Sequence, residues 1–135
     1  IHGKINNQFL KKQLVQLFTA MQLKRYILIK GNHDTFLLDN DLFEVIHSFQ
    51  LGNLLFTHEP LKQPTTPNIC GHVHPVINLQ HDKLRYRLKC FYHKKNQLIL
   101  PAFGEFTGGF NINLRPKETA YLIGPNKVSE YKKNN

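Results

Sequence analysis

Cysteine is scarce. Cys70 and Cys90 are the only two in 135 residues, too few for a disulfide framework and in keeping with a reducing compartment. Both read as small core residues. No apolar run approaches the length that spans a bilayer, and no basic segment followed by an apolar one opens the chain. Neither a membrane span nor a signal peptide is visible, and the expectation is a soluble, cytoplasmic protein. Acidic residues are also few, 9 Asp plus Glu against 18 Lys plus Arg. The resulting charge of +9 favours phosphate-bearing partners by long-range attraction and says nothing about fold. With no internal repeat, low-complexity tract or linker, a chain of 135 residues that is 41% hydrophobic reads as a single domain, 1–135, with one core. It opens at Ile1 in what reads as a turn, and the expectation is a portion of a longer domain.

What is present begins with a helical pattern. Leu10, Leu14, Leu17 and Met21 recur at i, i+4, i+7 and i+11 between Asn7 and Leu23, with Lys11 and Lys12 on the other side and Asn6 or Asn7 available as cap. Arg25 to Lys30 is a short strand-type run ending at Gly31-Asn32-His33-Asp34. Active-site residues of α/β proteins commonly sit at such a strand's carboxyl end. The character then shifts towards β. Phe43–Phe49 and Leu54–Thr57 flank Leu51-Gly52-Asn53 as a hairpin that delivers His58. Further strands are expected at about 76–79, 84–92, 97–100, 119–123 and 127–131, with Gly124-Pro125-Asn126 as the last turn.

At residues 68–75 the chain reads NICGHVHP. Asn68 to Gly71 looks like the end of a short buried strand. On extended backbone His72 and His74 would project to one side and Val73 to the other. Gly71 would supply a turn closed to other residues, and Pro75 would exclude a helix. Two imidazoles on one side make half a metal site, or else two surface histidines. Beside them stand GNHD at 31–34 and THEP at 57–60. Each of the three motifs follows an expected strand, so all three could meet at one sheet edge. The amide oxygen of Asn32 and the imidazoles of His58, His72 and His74 form a mixed set better suited to Mn²⁺, Fe or Zn²⁺ than to Ca²⁺ or Mg²⁺.

The order of these motifs resembles the calcineurin-like metallophosphoesterase superfamily, whose pattern runs D-x-H, G-D, G-N-H-[DE], H, G-H-x-H. Residues 88–110, LKCFYHKKNQLILPAFGEFTGGF, resemble the tail of the ligase-associated DNA damage response phosphoesterase and its archaeal relatives. The resemblance implies an α/β fold, the family's layered αββα sandwich, here a portion with a β-rich C-terminal half. It implies that Asn32, His58 and His72 bind one metal of a pair and His74 the other. His33 would stabilise charge on the scissile phosphate or protonate the leaving oxygen, with Asp34 holding its orientation. Two metals roughly 3.5 to 4 Å apart polarise the phosphoryl group and lower the pKa of a water between them. The implied activity is metal-dependent phosphodiester hydrolysis, with DNA or another nucleic acid as substrate and DNA-repair partners.

Neither D-x-H nor G-D occurs in these 135 residues. The expectation is therefore at most one metal and no two-metal reaction from this chain alone. The competing reading is a non-catalytic remnant that binds nucleic acid or a protein partner through its basic surface; a third keeps one structural metal. For that surface, Lys83, Arg85, Arg87 and Lys89 alternate with Leu84, Tyr86, Leu88 and Cys90. One face would carry cations every ~7 Å, at ~3.3 Å per residue, and the other would face the core. An ordinary solvated sheet face remains the alternative. In PAFGEFTGGF, Phe103, Phe106 and Phe110 are expected to pack inward and Gly108-Gly109 to turn the chain. His47, His81 and His93 match no motif position and read as surface or strand residues.

Overall fold

A computed structural model describes residues 7–21, 25–32, 34, 44–104 and 107–133. It divides into two compact units, Ile1–His47 and Ser48–Asn135. In the first, helix α1 (Asn7–Ala20) precedes strand β1 (Ile27–Ile29), which pairs in parallel with β2 (Glu44–Ile46). The expected amphipathic helix is present, three residues shorter than its pattern. Leu17 and Met21 on its apolar stripe are largely exposed, while Phe18 packs edge-on against Tyr26 at 4.9 Å. Arg25 and Glu44 tie the starts of β1 and β2 together through a 2.7 Å hydrogen bond. Among the described residues no helix is long and apolar enough to cross a membrane.

Among the described residues the second unit is built from strands: β3 (Ser48–Leu51), β4 (Leu54–Thr57), β5 (Asn68–Cys70), β6 (Pro75–His81), β7 (Leu84–Lys94), β8 (Gln97–Ile99), β9 (Phe110–Asn111), β10 (Thr119–Ile123) and β11 (Val128–Tyr131). Their order in the sheet is β11-β10-β7-β8-β5-β4-β3, and β6 branches off β7 with β9 on its far side. The α/β class and the β-rich C-terminal half are therefore as the sequence indicates. The single strand expected at Phe43–Phe49 is two strands parted at His47, because Glu44–Ile46 pairs with β1 and Ser48–Leu51 pairs with β4. Gly52, at φ +59°, makes the β3–β4 turn. There the left-handed backbone costs glycine least.

The core gathers Cys70, Ile77, Cys90, Tyr92, Ile99, Ile112, Leu114, Ala120 and Leu122, drawn mainly from the centre of the sheet. Both cysteines are buried and unpaired, and burial pushes each thiol up to about 11. Three parallel neighbours matter most for function. β4 and β5 run in register with Thr57 opposite Cys70, and β5 and β8 with Cys70 opposite Ile99. The chain therefore leaves all three strands at one edge, the carboxyl edge where α/β sheets place their sites.

Candidate functional site

His58 follows β4, the GHVH loop follows β5, and Leu100-Pro101-Ala102-Phe103-Gly104 follows β8. The expected convergence of the THEP and GHVH loops is thus produced by parallel pairing. Their backbones are joined directly, Gly71 donating its N–H to the carbonyl of His58 at 3.0 Å. The side chains meet as well: His58 Nε2 and His72 Nδ1 are 3.0 Å apart, with ring centroids at 4.9 Å. One of these nitrogens carries the shared proton and the other accepts it.

The GHVH loop is not the extended segment that the sequence led us to expect. His72 and His74 lie at φ +64° and +52°, left-handed backbone that histidine visits more often than most residues but that is uncommon for any side chain. Val73 donates its N–H to the carbonyl of Gly71 at 2.7 Å, which makes His72 the centre of a γ-turn of the rare strained type. Gly71, expected to take the unusual conformation, is not among the positive-φ residues. Val73, between the two histidines, is partly buried and packs against the core. Such strain costs of order 1–3 kcal/mol per residue and persists where the surroundings over-determine it.

At the amino ends of β5 and β8 the packing is polar and buried. Asn68 donates to the carbonyl of Leu55 and to Thr57 Oγ1, both at 3.0 Å, and accepts from Gln97 Nε2 at 3.2 Å. Gln97 also donates to the carbonyl of Leu61 at 3.0 Å. Both side chains are fully buried, so their satisfied bonds fix β4, β5 and β8 against one another. Sequence reading missed this pair. The available signal was a polar residue opening each of two short apolar strands, NIC and QLI.

The loop after β8 is tied to the long strand β7. Lys89 Nζ donates to the carbonyls of Ala102 and Gly104 at 3.2 and 2.7 Å, and Arg87 donates to the carbonyl of Gly109. Two of the four cations expected on a free face therefore hold this loop as well. Lys83 and Arg85 are exposed, and among the described residues no carboxylate forms an ion pair with any of the four. Leu84 and Tyr86 do not face the core as expected: they are 59% and 43% exposed, because the tip of the β6–β7 hairpin is solvated on both faces. Gly109 serves close approach rather than turning. A Cβ there would lie 2.4 Å from Val76 Cγ1 and 3.0 Å from the carbonyl of His74, to which Phe110 donates its N–H at 3.0 Å. Phe103 and Phe110, expected inside, are exposed. Phe106 and Glu105 lie outside the described residues.

The GNHD turn belongs to the first unit, at the carboxyl end of β1. Asp34 Oδ2 accepts the Gly31 N–H at 2.8 Å, closing the turn from which Asn32 stands exposed. His33 lies outside the described residues. Among the described residues no group of three or more His, Cys, Asp or Glu is placed to hold a metal ion. His58 and His72 do fit as neighbouring donors: at metal–nitrogen distances of ~2.1 Å, adjacent ligands lie roughly 3.0 to 3.4 Å apart.

No family model matches the chain, and no curated protein matches it. Among solved structures, the crystal structure of Pseudomonas putida nuclease MPE is similar, with a TM-score of 0.70 and 32% sequence identity over 88% of this chain. The chain spans 60% of that nuclease's length.

Proposed function

We propose that the protein hydrolyses phosphodiester bonds of nucleic acid in a metal-dependent reaction centred on the carboxyl edge of β4, β5 and β8. The observation that carries this reading is the His58–His72 pair, 3.0 Å apart on a strained loop tied to His58 by the Gly71 N–H. Likeness to a solved nuclease and a charge of +9 support the substrate class.

In this reading His58 and His72 would hold one divalent ion and His74 a second; Mn²⁺, Fe and Zn²⁺ suit such donors. When bound, such ions supply Lewis acidity towards the phosphoryl group and a nucleophile at neutral pH. The chain's own residues do the rest. The γ-turn fixes His72 towards His58, so the donor atoms are placed before any ion arrives. Asp34 closes the GNHD turn through the Gly31 N–H, and His33 is assigned delivery of a proton to the leaving oxygen. Lys83 and Arg85 attract the phosphate backbone without reading its sequence. The residues of a D-x-H and a G-D, which complete the dinuclear pair in the superfamily this sequence resembles, are not among these 135.

The test is kinetic and uses the full-length protein with its metal. Changing His33→Ala is expected to lower turnover of an oligonucleotide roughly 100- to 10,000-fold, the usual share of a general acid, at unchanged metal content. Full turnover in that variant would remove His33 from the mechanism. Salt-sensitive binding with no metal-dependent cleavage by the unaltered protein would instead favour a non-catalytic nucleic-acid binder.

A further inference from the structure

The loop after β8 holds an aromatic ring that the hydrolytic reading leaves unused. Phe103 is fully exposed, yet the backbone on either side of it is pinned. The carbonyls of Ala102 and Gly104 both accept from the single ammonium of Lys89, at 3.2 and 2.7 Å, and Ala102 is itself buried. Further along, Gly109 is bound by Arg87 and Phe110 by the carbonyl of His74, at 3.0 Å. A ring on a loose loop would fold back onto apolar surface, whereas this one is held out in water on a fixed base.

We propose that Phe103 stacks on a nucleobase of the nucleic acid that the candidate site cleaves. The inference rests on the phosphodiester reading above and assigns a residue to base contact. Position is the first argument. Phe103 leaves β8 at the edge where His72 leaves β5, the two strands being parallel with Cys70 opposite Ile99. Charge is the second. The loop is bonded to Arg87 and Lys89 of β7, and Arg85 continues their alternation towards the hairpin tip, so the ring stands beside a row of cations. Among the described residues no carboxylate neutralises that row. Chemistry is the third: an aromatic face next to a cation-lined track is the combination that holds an unpaired strand, since every base has a π-face and every nucleotide a phosphate. A pinned loop loses little freedom on binding, which favours contact by a ring already in place.

The experiment uses full-length protein in chelator, so that binding is seen without cleavage, and single-stranded oligonucleotides carrying 2-aminopurine and a terminal dye. Because the ring is fully exposed, Phe103→Ala leaves the core intact. It is expected to weaken binding roughly 5- to 150-fold and to abolish 2-aminopurine quenching, with Phe103→Trp restoring both. An abasic strand of equal length should bind the unaltered protein and Phe103→Ala alike. Equal affinity and equal quenching in the unaltered protein and Phe103→Ala would overturn the assignment and leave the hydrolytic reading standing. If the unaltered protein bound no oligonucleotide, both readings would fall. If Phe103→Ala altered only concentration-dependent self-association, the ring would be covered by a second copy and the assignment overturned.

Discussion

At the scale of single residues, His72 carries two burdens: it offers a nitrogen to His58 and it sits at φ +64° in a γ-turn. The two can be separated by substitution. Left-handed backbone costs roughly 1–2 kcal/mol for a residue with a Cβ and little for glycine. His72→Gly is therefore expected to unfold at a higher denaturant concentration than His72→Ala, by about 1 kcal/mol, although both lose the imidazole. Equal midpoints in urea would mean that the turn relaxes once the histidine is gone. This feature was not legible in the sequence, where alternation along an extended HVH segment put both imidazoles on one side. The observed turn closes on a bond from the Val73 N–H to the carbonyl of Gly71, which alternation does not reveal. The chemical types at 58, 72 and 74 were legible because a donor set is a matter of composition and order. Phe103 was misread for a simpler reason: aromatic residues are usually buried, and nothing local reveals that Lys89, the sixth residue of β7, will pin the neighbouring carbonyls.

Among elements, the junction of β6 and β9 depends on one absent side chain. Gly109 lies so close to β6 that a methyl group would meet Val76 Cγ1 at 2.4 Å and the carbonyl of His74 at 3.0 Å. The latter is backbone and cannot turn aside. Gly109→Ala is expected to cost about 1–3 kcal/mol through overpacking, and circular dichroism melts of the two proteins would register it. Gly108, beside it, has open space around a Cβ, so Gly108→Ala should be close to neutral and serves as the control. Most strands were visible as apolar runs between turn residues, including β5, β7 and β10. The two-residue β9 was not, since a run that short has no period to detect. The division at His47 was hidden for a different cause: one continuous apolar stretch supplies a strand to each unit, and only pairing separates them.

For the molecule as a whole, charge and acid–base behaviour add constraints that no single strand carries. Cys70 and Cys90 have thiols raised from 9.0 to about 11 by burial, with Lys94 partly opposing this at Cys70. Tyr92 is raised as well, first by burial and then by its hydrogen bond to Glu118. A group whose folded pKa exceeds its unfolded value contributes stability that is complete below the unfolded value and disappears as pH climbs through the folded one. The denaturation midpoint should therefore hold steady up to about pH 9 and fall between roughly pH 9 and 11, with Cys90→Ala flattening that fall. An unchanged midpoint across this range would contradict thiol burial as the cause. The motif order let the sequence indicate that the loops after β4 and β5 meet. It did not reveal that the β8 loop shares their edge, because the parallel pairing of β5 with β8 joins strands that have β6 and β7 between them in the chain.

The central claim is that His58 and His72 are neighbouring ligands of one divalent ion. Native mass spectrometry of the full-length protein, purified in Mn²⁺ or Zn²⁺, weighs chain and metal together. Bound metal is expected in the unaltered protein, with loss of at least one ion in both His58→Ala and His72→Ala. Identical metal content in all three proteins would contradict it, and the 3.0 Å pair would then be a hydrogen bond that holds two loops and nothing more.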